Sequence, residues 1–220
     1  MRTSQILVLV ALSLASSTVS RSADIGRPAT NGENVLFSDD FSHDPLGAAP
    51  RFWTTTNGSF SVTARDSEQW LSLNGAKGEV EMDVPGALPE RWTLDFDLLQ
   101  EYAGDTGIAL LGIDAQGRET WSLTLGQYGG TTSTLDSFES HSSAVLADGN
   151  NFRGRHHVSL AVNGGEILAQ VDTQRLNVKP VIKDGPAASI RLRLTQPSAL
   201  VSDVRLAGID AAKGQALRVN

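Results

Sequence analysis

An alternation of apolar and polar residues with a period of two is the feature of this sequence that most constrains its fold. The alternation is clear in residues 80–84, 92–98, 158–162 and 190–194. Successive side chains of a β-strand point to opposite faces of a sheet, so this period is typical of half-buried strands. No segment keeps the spacing of an amphipathic helix over several turns. The sequence therefore predicts an all-β fold of about ten to twelve strands, spaced as in a sandwich.

Turn-forming pairs separate these runs, including Asn57-Gly58, Asn74-Gly75 and Pro85-Gly86. Such pairs commonly connect neighbouring antiparallel strands. A length of 220 residues suits one domain of sandwich size. Residues 140–153 are predicted to form the one long loop of the domain, and long loops in compact domains are often functional.

The charge balance and the absence of cysteine exclude several classes of function. The chain has 18 Lys and Arg against 25 Asp and Glu, which gives a net charge of −7. Nucleic-acid binding needs a basic surface, so we expect no nucleic-acid partner. Because the chain contains no cysteine, it forms no disulfide, no thiolate nucleophile and no zinc site built on thiolates.

Residues 1–23 have the layout of a secretory signal peptide. Arg2 is followed by an apolar run over residues 6–15 and then by small, mostly polar residues, as in a segment that is cleaved after Ser20 or Ala23. The run is too short to span a hydrocarbon core of about 30 Å, and an uncleaved interfacial anchor is the alternative. We expect export to the periplasm or the exterior of a bacterial cell, with no transmembrane segment after cleavage.

Three segments resemble known jelly-roll domains. Residues 35–53, VLFSDDFSHDPLGAAPRFW, resemble the opening of a domain often found at the front of exported bacterial OmpA-family proteins. Residues 155–178 are similar to the paired strands of laminin-G-like and concanavalin A-like domains, although Arg155 replaces a frequent Trp. Residues 201–208 resemble their closing strand. The resemblance implies a two-sheet antiparallel jelly-roll sandwich over residues 33–209, with a flexible lead at 24–32 and a C-terminal tail at 210–220.

Glu79, Glu81 and Asp83 are the strongest indication of an enzyme. Their spacing places three acids on one face of a strand and resembles the catalytic strand of laminarinase- and lichenase-type glycosidases. Two such carboxylates can flank a scissile glycosidic bond. The alternative is a polar sheet face, because no aromatic residue adjoins the triplet and Asp95 and Asp97 are predicted to point the same way. On that face the acids would pair with basic residues of neighbouring strands, namely Arg191, Arg193 and Arg205.

A structural Ca²⁺ is the one cofactor that the sequence indicates. Asp39 and Asp40 lie on the predicted first strand and Asp203 on the last. The resemblance implies that these strands are neighbours and that related glucanases and lectins often hold Ca²⁺ there. Two or three Asp with carbonyls and water supply the six to eight oxygens that this ion needs. The alternative is that Asp39 or Asp40 caps a turn or pairs with Arg205.

A sugar-binding site is predicted at the loops that border one sheet. Tyr128 lies in a glycine-rich turn, where its ring is available for stacking on a sugar. Asn150, Asn151 and Arg153 lie in the predicted long loop and supply directional hydrogen bonds to hydroxyl groups. Trp121 shares its face with Leu123 and Leu125, and we therefore expect it in the core.

The sequence leaves three functions open, because jelly-roll domains include lectins, glycosidases and structural modules. The first is a non-catalytic exported module that binds carbohydrate or another cell-envelope component. The second is a structural or interaction subunit of the envelope without a small ligand. The third is a glycoside hydrolase or lyase that uses Glu79, Glu81 and Asp83.

Overall fold

The chain forms two antiparallel β-sheets. The computed structural model describes residues 33–102, 107–130, 132–137, 142–147, 152–163, 166–176 and 187–209. In spatial order, the eight-stranded sheet contains β13 (Gln174–Leu176), β12 (Glu166–Val171), β11 (Gly154–Asn163), β6 (Arg91–Gln100), β15 (Ala199–Ile209), β4 (Glu68–Leu73) and β3 (Phe60–Arg65), and β1 (Glu33–Asp39) also pairs with β15. The seven-stranded sheet contains β10 (Ser142–Ala147), β9 (Thr132–Ser137), β8 (Glu119–Gly126), β7 (Ile108–Ile113), β14 (Ser189–Leu194), β5 (Gly78–Met82) and β2 (Trp53–Asn57). One helical turn, α1 (Gln127–Gly130), joins β8 to β9.

This arrangement confirms the predicted all-β jelly-roll sandwich. The described residues contain 15 strands, more than the sequence predicted. The prediction of one long loop over residues 140–153 is wrong at β10, which pairs with β9 along its whole length. The predicted signal peptide (1–23), lead (24–32) and tail (210–220) lie outside the described residues. No helix in the described part of the chain is long and apolar enough to cross a membrane.

The core lies between the two sheets, and the period-two pattern explains its composition. On β6, Trp92, Leu94, Phe96 and Leu98 all face the other sheet and are at most 2% exposed. From the seven-stranded sheet, Leu110 and Trp121 belong to the same apolar cluster. The prediction that Trp121 belongs to the core is therefore confirmed. The sheet faces that meet in this core are the inner faces, and the opposite faces are the outer faces.

Strand β15 lies in the middle of the eight-stranded sheet and contains a β-bulge. The pairing of β15 with β6 shifts between Ser202 and Arg205, and Asp203 there has a positive φ of 50°. Before the bulge, Leu200 and Val201 pair with β4, whereas the residues after it pair with β1. One edge of a single strand therefore serves two partners, and the bulge marks the point of change.

Candidate ligand-binding face

The outer face of the seven-stranded sheet has an apolar strip along its middle strand. Ala109, Leu111 and Ile113 alternate along β7 with the inward-facing Ile108 and Leu110. They form a small apolar cluster separate from the main core, and each is at most 8% exposed. Apolar side chains on an outer face become buried only when neighbouring side chains cover them. The strands on either side of β7 supply long or hydroxyl-bearing side chains for this purpose.

Two arginines of β14 stand beside the strip and form ion pairs with β5. The Nε of Arg191 lies 2.7 Å from Oε2 of Glu81, and the Nε of Arg193 lies 2.7 Å from Oε1 of Glu79. Strand register places Arg191 opposite Leu111 and Arg193 opposite Ala109. Glu79 and Glu81 thus pair with Arg191 and Arg193, the arginines that the sequence predicted. Asp83, the third acid of the triplet, accepts a hydrogen bond from the Thr54 hydroxyl at 2.7 Å.

Arg193 also forms an ion pair with Glu119 at the start of β8. Since β7 lies between β14 and β8, this contact passes over the outer side of β7 and its apolar strip. Simple alternation along β8 would place Glu119 on the inner face with Trp121. A shift in register between Gly112 and Ile113 instead places Glu119 opposite Ile113, on the outer face. Sequence reasoning missed Glu119 because such a bulge changes the facing of one residue without a signal in the pattern.

On the other side of β7 the face carries hydroxyl groups and one further acid. On β8, Ser122 lies opposite Leu111 and Thr124 lies opposite Ala109. On the next strand, β9, Asp136 lies opposite Ser122 and Thr134 lies opposite Thr124. We call the outer face of the seven-stranded sheet the charged face. Its charged residues in the described part of the chain are Glu79, Glu81, Asp83, Glu119, Asp136, Arg191 and Arg193.

Tyr128 borders the charged face at one end. It lies in α1, between β8 and β9, has a φ of 53° and is 77% exposed. The neighbouring Gln127 accepts a hydrogen bond from the Thr134 hydroxyl at 3.1 Å, which ties the turn to β9. Left-handed backbone is uncommon for a residue with a large side chain, and here it occurs at the most exposed aromatic side chain of the described structure.

Of the other predicted sugar-binding residues, Arg153 is the one that lies among the described residues. Arg153 is exposed and directly precedes β11. Gly154 pairs with Gln100 at the end of β6, and hydrogen bonds from Glu101 to Ser198 and from Thr195 to Gly107 link that end to the ends of β7 and β14. Arg153 and Tyr128 therefore lie at the same end of the sandwich. Asn150 and Asn151 lie outside the described residues, and the four residues stay a predicted site.

The predicted Ca²⁺ ligands lie near the bulge of β15. Asp39 pairs in register with Val204, which places it on β1 beside Asp203, as the resemblance implied. Both oxygens of Asp39 accept hydrogen bonds, Oδ1 from the Phe41 N–H at 2.8 Å and Oδ2 from the Trp53 indole at 2.9 Å. Oδ1 of Asp40 accepts the Ser42 N–H at 2.9 Å.

Asp39 and Asp40 thus cap turns, because the carboxylate of each accepts a hydrogen bond from the backbone N–H two residues later. Among the described residues no three His, Cys, Asp or Glu side chains are grouped so as to hold a metal ion. Each oxygen of Asp39 accepts one hydrogen bond from the protein, so the position of this side chain is explained without a metal ion. A Ca²⁺ site at Asp39, Asp40 and Asp203 stays a prediction.

The outer face of the eight-stranded sheet carries a separate network around His157. Its Nδ1 lies 2.8 Å from Oδ1 of Asp97, and its Nε2 lies 3.6 Å from Oδ1 of Asp95. These two carboxylates, Asp95 first, raise the pKa of His157 to about 9. Arg155 lies 2.6 Å from Asp97 and places its guanidinium 5.4 Å from the ring centre of Trp70.

This network corrects two predictions about facing. Asp95 and Asp97 were expected to share a face with the acid triplet, but β6 belongs to the other sheet. Arg205 was expected to pair on the same face as Arg191 and instead lies 3.1 Å from Glu33. The physical reason is the same in both cases: alternation determines which residues share a face of their own strand but not which sheet the strand joins.

Comparison with solved structures shows that this chain shares its fold with known proteins. No family model matches this sequence, and no curated protein sequence matches it. A sialidase structure aligns with 81% of this chain at a TM-score of 0.58 and 16% identity, and the chain spans 19% of that sialidase. A Bacillus subtilis protein of unknown function with a galectin-like fold aligns at a TM-score of 0.55 and 13% identity, over 80% of this chain and 97% of the other.

A third similar structure is the exoplasmic/lumenal domain of VIP36 in its Ca²⁺-bound form. It aligns at a TM-score of 0.53 and 11% identity, over 80% of this chain and 90% of the other. Identities this low show a common fold and leave the ligand of this chain open. The fold is thus a two-sheet jelly-roll sandwich of the galectin-like, concanavalin A-like type.

Proposed function

We propose that this chain is an exported carbohydrate-binding domain whose ligand lies on the charged face and against Tyr128 at its border. The observation that carries the proposal is the row of alternating carboxylates and guanidinium groups formed by Glu79, Arg193 and Glu119. Carboxylates accept hydrogen bonds and guanidinium groups donate them, and a sugar hydroxyl does both. Such a row is complementary to a surface of hydroxyl groups.

Tyr128 supports the same proposal from the edge of the face. An exposed phenol ring offers an apolar surface for the C–H side of a sugar and a polar group at its tip. Arg153, at the same end of the sandwich, adds a donor, and Asn150 and Asn151 belong to the proposed site as hydrogen-bonding residues. The folds of a galectin-like protein and of VIP36 are consistent with this proposal by analogy.

The location of the protein is part of the proposal. The layout of residues 1–23 supports secretion through a cleaved signal peptide, and the resemblance of residues 35–53 to domains at the front of OmpA-family proteins favours the bacterial envelope. In that location the accessible carbohydrates are those of the envelope and of the surroundings of the cell.

A glycan array followed by calorimetry tests the proposal. We expect Tyr128→Ala and Asn151→Ala each to weaken binding of the glycan found on the array by about 1–2 kcal/mol, as loss of a partner in a polar site does. The matched control is Phe52→Ala, because Phe52 is also an exposed aromatic residue, at 44%. It directly precedes β2, whose first residue Trp53 pairs with Met82 at the end of β5, so it lies at the opposite end of the sandwich from Tyr128. Glycan binding that neither Tyr128→Ala nor Asn151→Ala changes would place the site elsewhere. If the array shows no binding, the second function, an interaction subunit of the envelope, replaces this proposal.

A further inference from the structure

We propose that the charged face selects uncharged glycans and rejects glycans that carry carboxylate, sulfate or amino groups. This inference rests on the proposed function and names its class of ligand. Three features of the face support it: the ion pairs of Arg191 and Arg193, the sign of the net charge, and the donors and acceptors that remain for a ligand.

The two arginines of the face are already engaged by carboxylates of the same chain. An anionic sugar is best held by two parallel N–H groups of one guanidinium. In Arg193, the Nε is directed at Glu79 and one terminal nitrogen at Glu119. In Arg191, the Nε is directed at Glu81 and a terminal nitrogen lies 3.9 Å from Glu79. A glycan carboxylate or sulfate would therefore have to displace a glutamate that is positioned by the sheet.

The net charge of the face also opposes an anionic ligand. In the described part of the chain, two arginines stand against five acids, which are Glu79, Glu81, Asp83, Glu119 and Asp136. Like charges brought together on a partly buried surface repel one another, and desolvation of the added anion increases the cost. The charge of the whole chain, −7, has the same sign. Uronates and sulfated sugars are therefore disfavoured before any contact is made.

An amino sugar is disfavoured for a different reason. An ammonium group is best bound by carboxylates that lack another cation, but Glu79, Glu81 and Glu119 each have an arginine as partner. An ammonium group on these acids would lie beside a guanidinium, and the two cations would repel each other. Asp83 and Asp136 have no arginine partner among the described residues, but they lie on opposite sides of the face. Asp83 follows β5 and Asp136 lies on β9, with three strands between them, so each is a single acid and does not form a cation site.

Hydroxyl groups fit what remains. A guanidinium has five N–H donors, so each arginine keeps donors for a ligand after its ion pairs are made. Each carboxylate keeps lone pairs, and Ser122, Thr124 and Thr134 add hydroxyl groups in adjacent positions of the same rows. Two neighbouring sugar hydroxyls can thus bind as a pair, one donating to a glutamate and the other accepting from the arginine beside it.

The buried strip below the ion pairs makes this arrangement specific. Ala109, Leu111 and Ile113 are almost fully buried, and the contact of Arg193 with Glu119 crosses them. The aliphatic part of an arginine packs well on such a surface, which restricts where its charged end can move. A pre-positioned donor loses less entropy when a ligand binds, so Arg193 is the residue of this face on which affinity for an uncharged sugar depends most.

The experiment compares charged and uncharged polymers on the full protein. The probes are β-glucan, xylan, mannan and galactan as uncharged glycans, polygalacturonate and dextran sulfate as anionic ones, and chitosan as a cationic one, in affinity electrophoresis and calorimetry at low and high salt. We expect binding to at least one uncharged polymer, with little dependence on salt because no net charge is neutralised. Arg193→Gln should weaken this binding about tenfold, equivalent to about 1.4 kcal/mol.

The matched control is Arg65→Gln. Arg65 is also ion-paired, 2.7 Å from Glu101, but on the other sheet, and its removal should leave the affinity unchanged. Glu119→Gln is a second variant, for use if Arg193→Gln unfolds the protein. It removes the other partner of the Arg193–Glu119 ion pair and should also weaken binding.

Each remaining outcome counts against the inference. Stronger binding of polygalacturonate, dextran sulfate or chitosan than of every uncharged polymer overturns it and leaves carbohydrate binding intact. Binding of an uncharged polymer that neither Arg193→Gln nor Glu119→Gln weakens also overturns it. A dimer in sedimentation experiments that Arg193→Gln dissociates would assign the face to a second copy of the chain. If no polymer binds, the proposed function fails together with the inference.

Discussion

The carboxylate of Asp39, on β1 of the eight-stranded sheet, accepts a hydrogen bond of 2.9 Å from the indole of Trp53, on β2 of the seven-stranded sheet. The two residues therefore join the sheets through a polar contact inside the apolar core. Phe37 packs edge-on against the Trp53 ring at 5.4 Å, and Phe41 stacks on it at 5.9 Å. The segment from Phe37 to Trp53, which resembles the opening of known jelly-roll domains, thus encloses the carboxylate of Asp39.

Trp53→Phe should destabilise the protein by about 1–3 kcal/mol, because it leaves one oxygen of the buried Asp39 without a donor. Trp92→Phe is the matched control. It removes the same part of a side chain that is also buried. Among the described residues the printed contact of the Trp92 ring is with Trp121, at 6.3 Å, and not with a carboxylate. Urea unfolding measures both variants, and equal losses for the two would show that the contact with Asp39 contributes nothing.

The same carboxylate should make stability depend on pH. Burial raises the pKa of Asp39 to about 6 from 3.8, so the folded state binds this proton more tightly than the unfolded state does. The stability contribution of Asp39 is therefore present below about pH 4 and is lost as the pH rises through 6, by on the order of 2–3 kcal/mol. The difference in unfolding free energy between wild type and Asp39→Asn should shift in this sense between pH 4 and 7. A difference that stays constant across this range would contradict the prediction.

His157 should produce a second pH dependence at higher pH. Its pKa of about 9 in the folded protein exceeds the ordinary value of 6.5, so its contribution to stability is complete below pH 6.5 and is lost as the pH rises through 9. Titration of the imidazole by NMR measures the pKa directly. Asp95→Asn and Asp97→Asn should each lower it, since each removes one of the carboxylates that favour the protonated ring. An imidazole that titrates near 6.5 in the wild type would show that the carboxylates do not hold the proton.

Phe96→Ala should cost about 3–5 kcal/mol of stability, because it removes a large side chain from between the two sheets. Phe96 is 1% exposed, which confirms the facing that the alternation on β6 predicted. Leu46→Ala is the control, since Leu46 is 61% exposed and should cost less than about 0.5 kcal/mol. A small loss at Phe96 in urea unfolding would mean that the core tolerates the cavity.

The exported protein should begin at Arg21 or Asp24. The apolar run and the small residues that follow it place the cleavage after Ser20 or Ala23. N-terminal sequencing of protein recovered from a periplasmic extract measures the position. Intact Met1 in that fraction would rule out export by a cleaved signal peptide.

The sequence predicted the faces of individual strands well, because alternation is a local property. It placed Trp92 to Leu98 in the core, and it correctly proposed that Arg191 and Arg193 pair with the acids at Glu79 and Glu81. Adjacent residues of a strand point to opposite faces, and His156 and His157 do so. His156 stacks on Phe152 with ring centres 4.3 Å apart, whereas His157 pairs with Asp95 and Asp97 on the outer face.

What the sequence could not provide was the assignment of strands to sheets and the position of bulges. Arg205 has the same alternation as Arg191, but β15 joins the other sheet. Glu119 changes its facing through the register shift beside Gly112. Both errors concern contacts between residues far apart in the chain, for which a pattern within one strand contains no information. The ion pair between Arg193 and Glu119 depends both on the order of the strands in the sheet and on the register shift beside Gly112. It was therefore not predicted.

The pairing of the first described strand with the last has a consequence for how the chain folds. Glu33 pairs with Ile209, and β15 also separates β6 from β4 and β1. Among the described strands, β1 has no partner other than β15, and β6 and β4 each lack one partner until β15 is available. Contacts between residues so distant in sequence are slow to form because a long loop must close first. We therefore expect the eight-stranded sheet to be completed late and in one cooperative step, with a chain cut before Ala199 left as an aggregation-prone set of open strand edges.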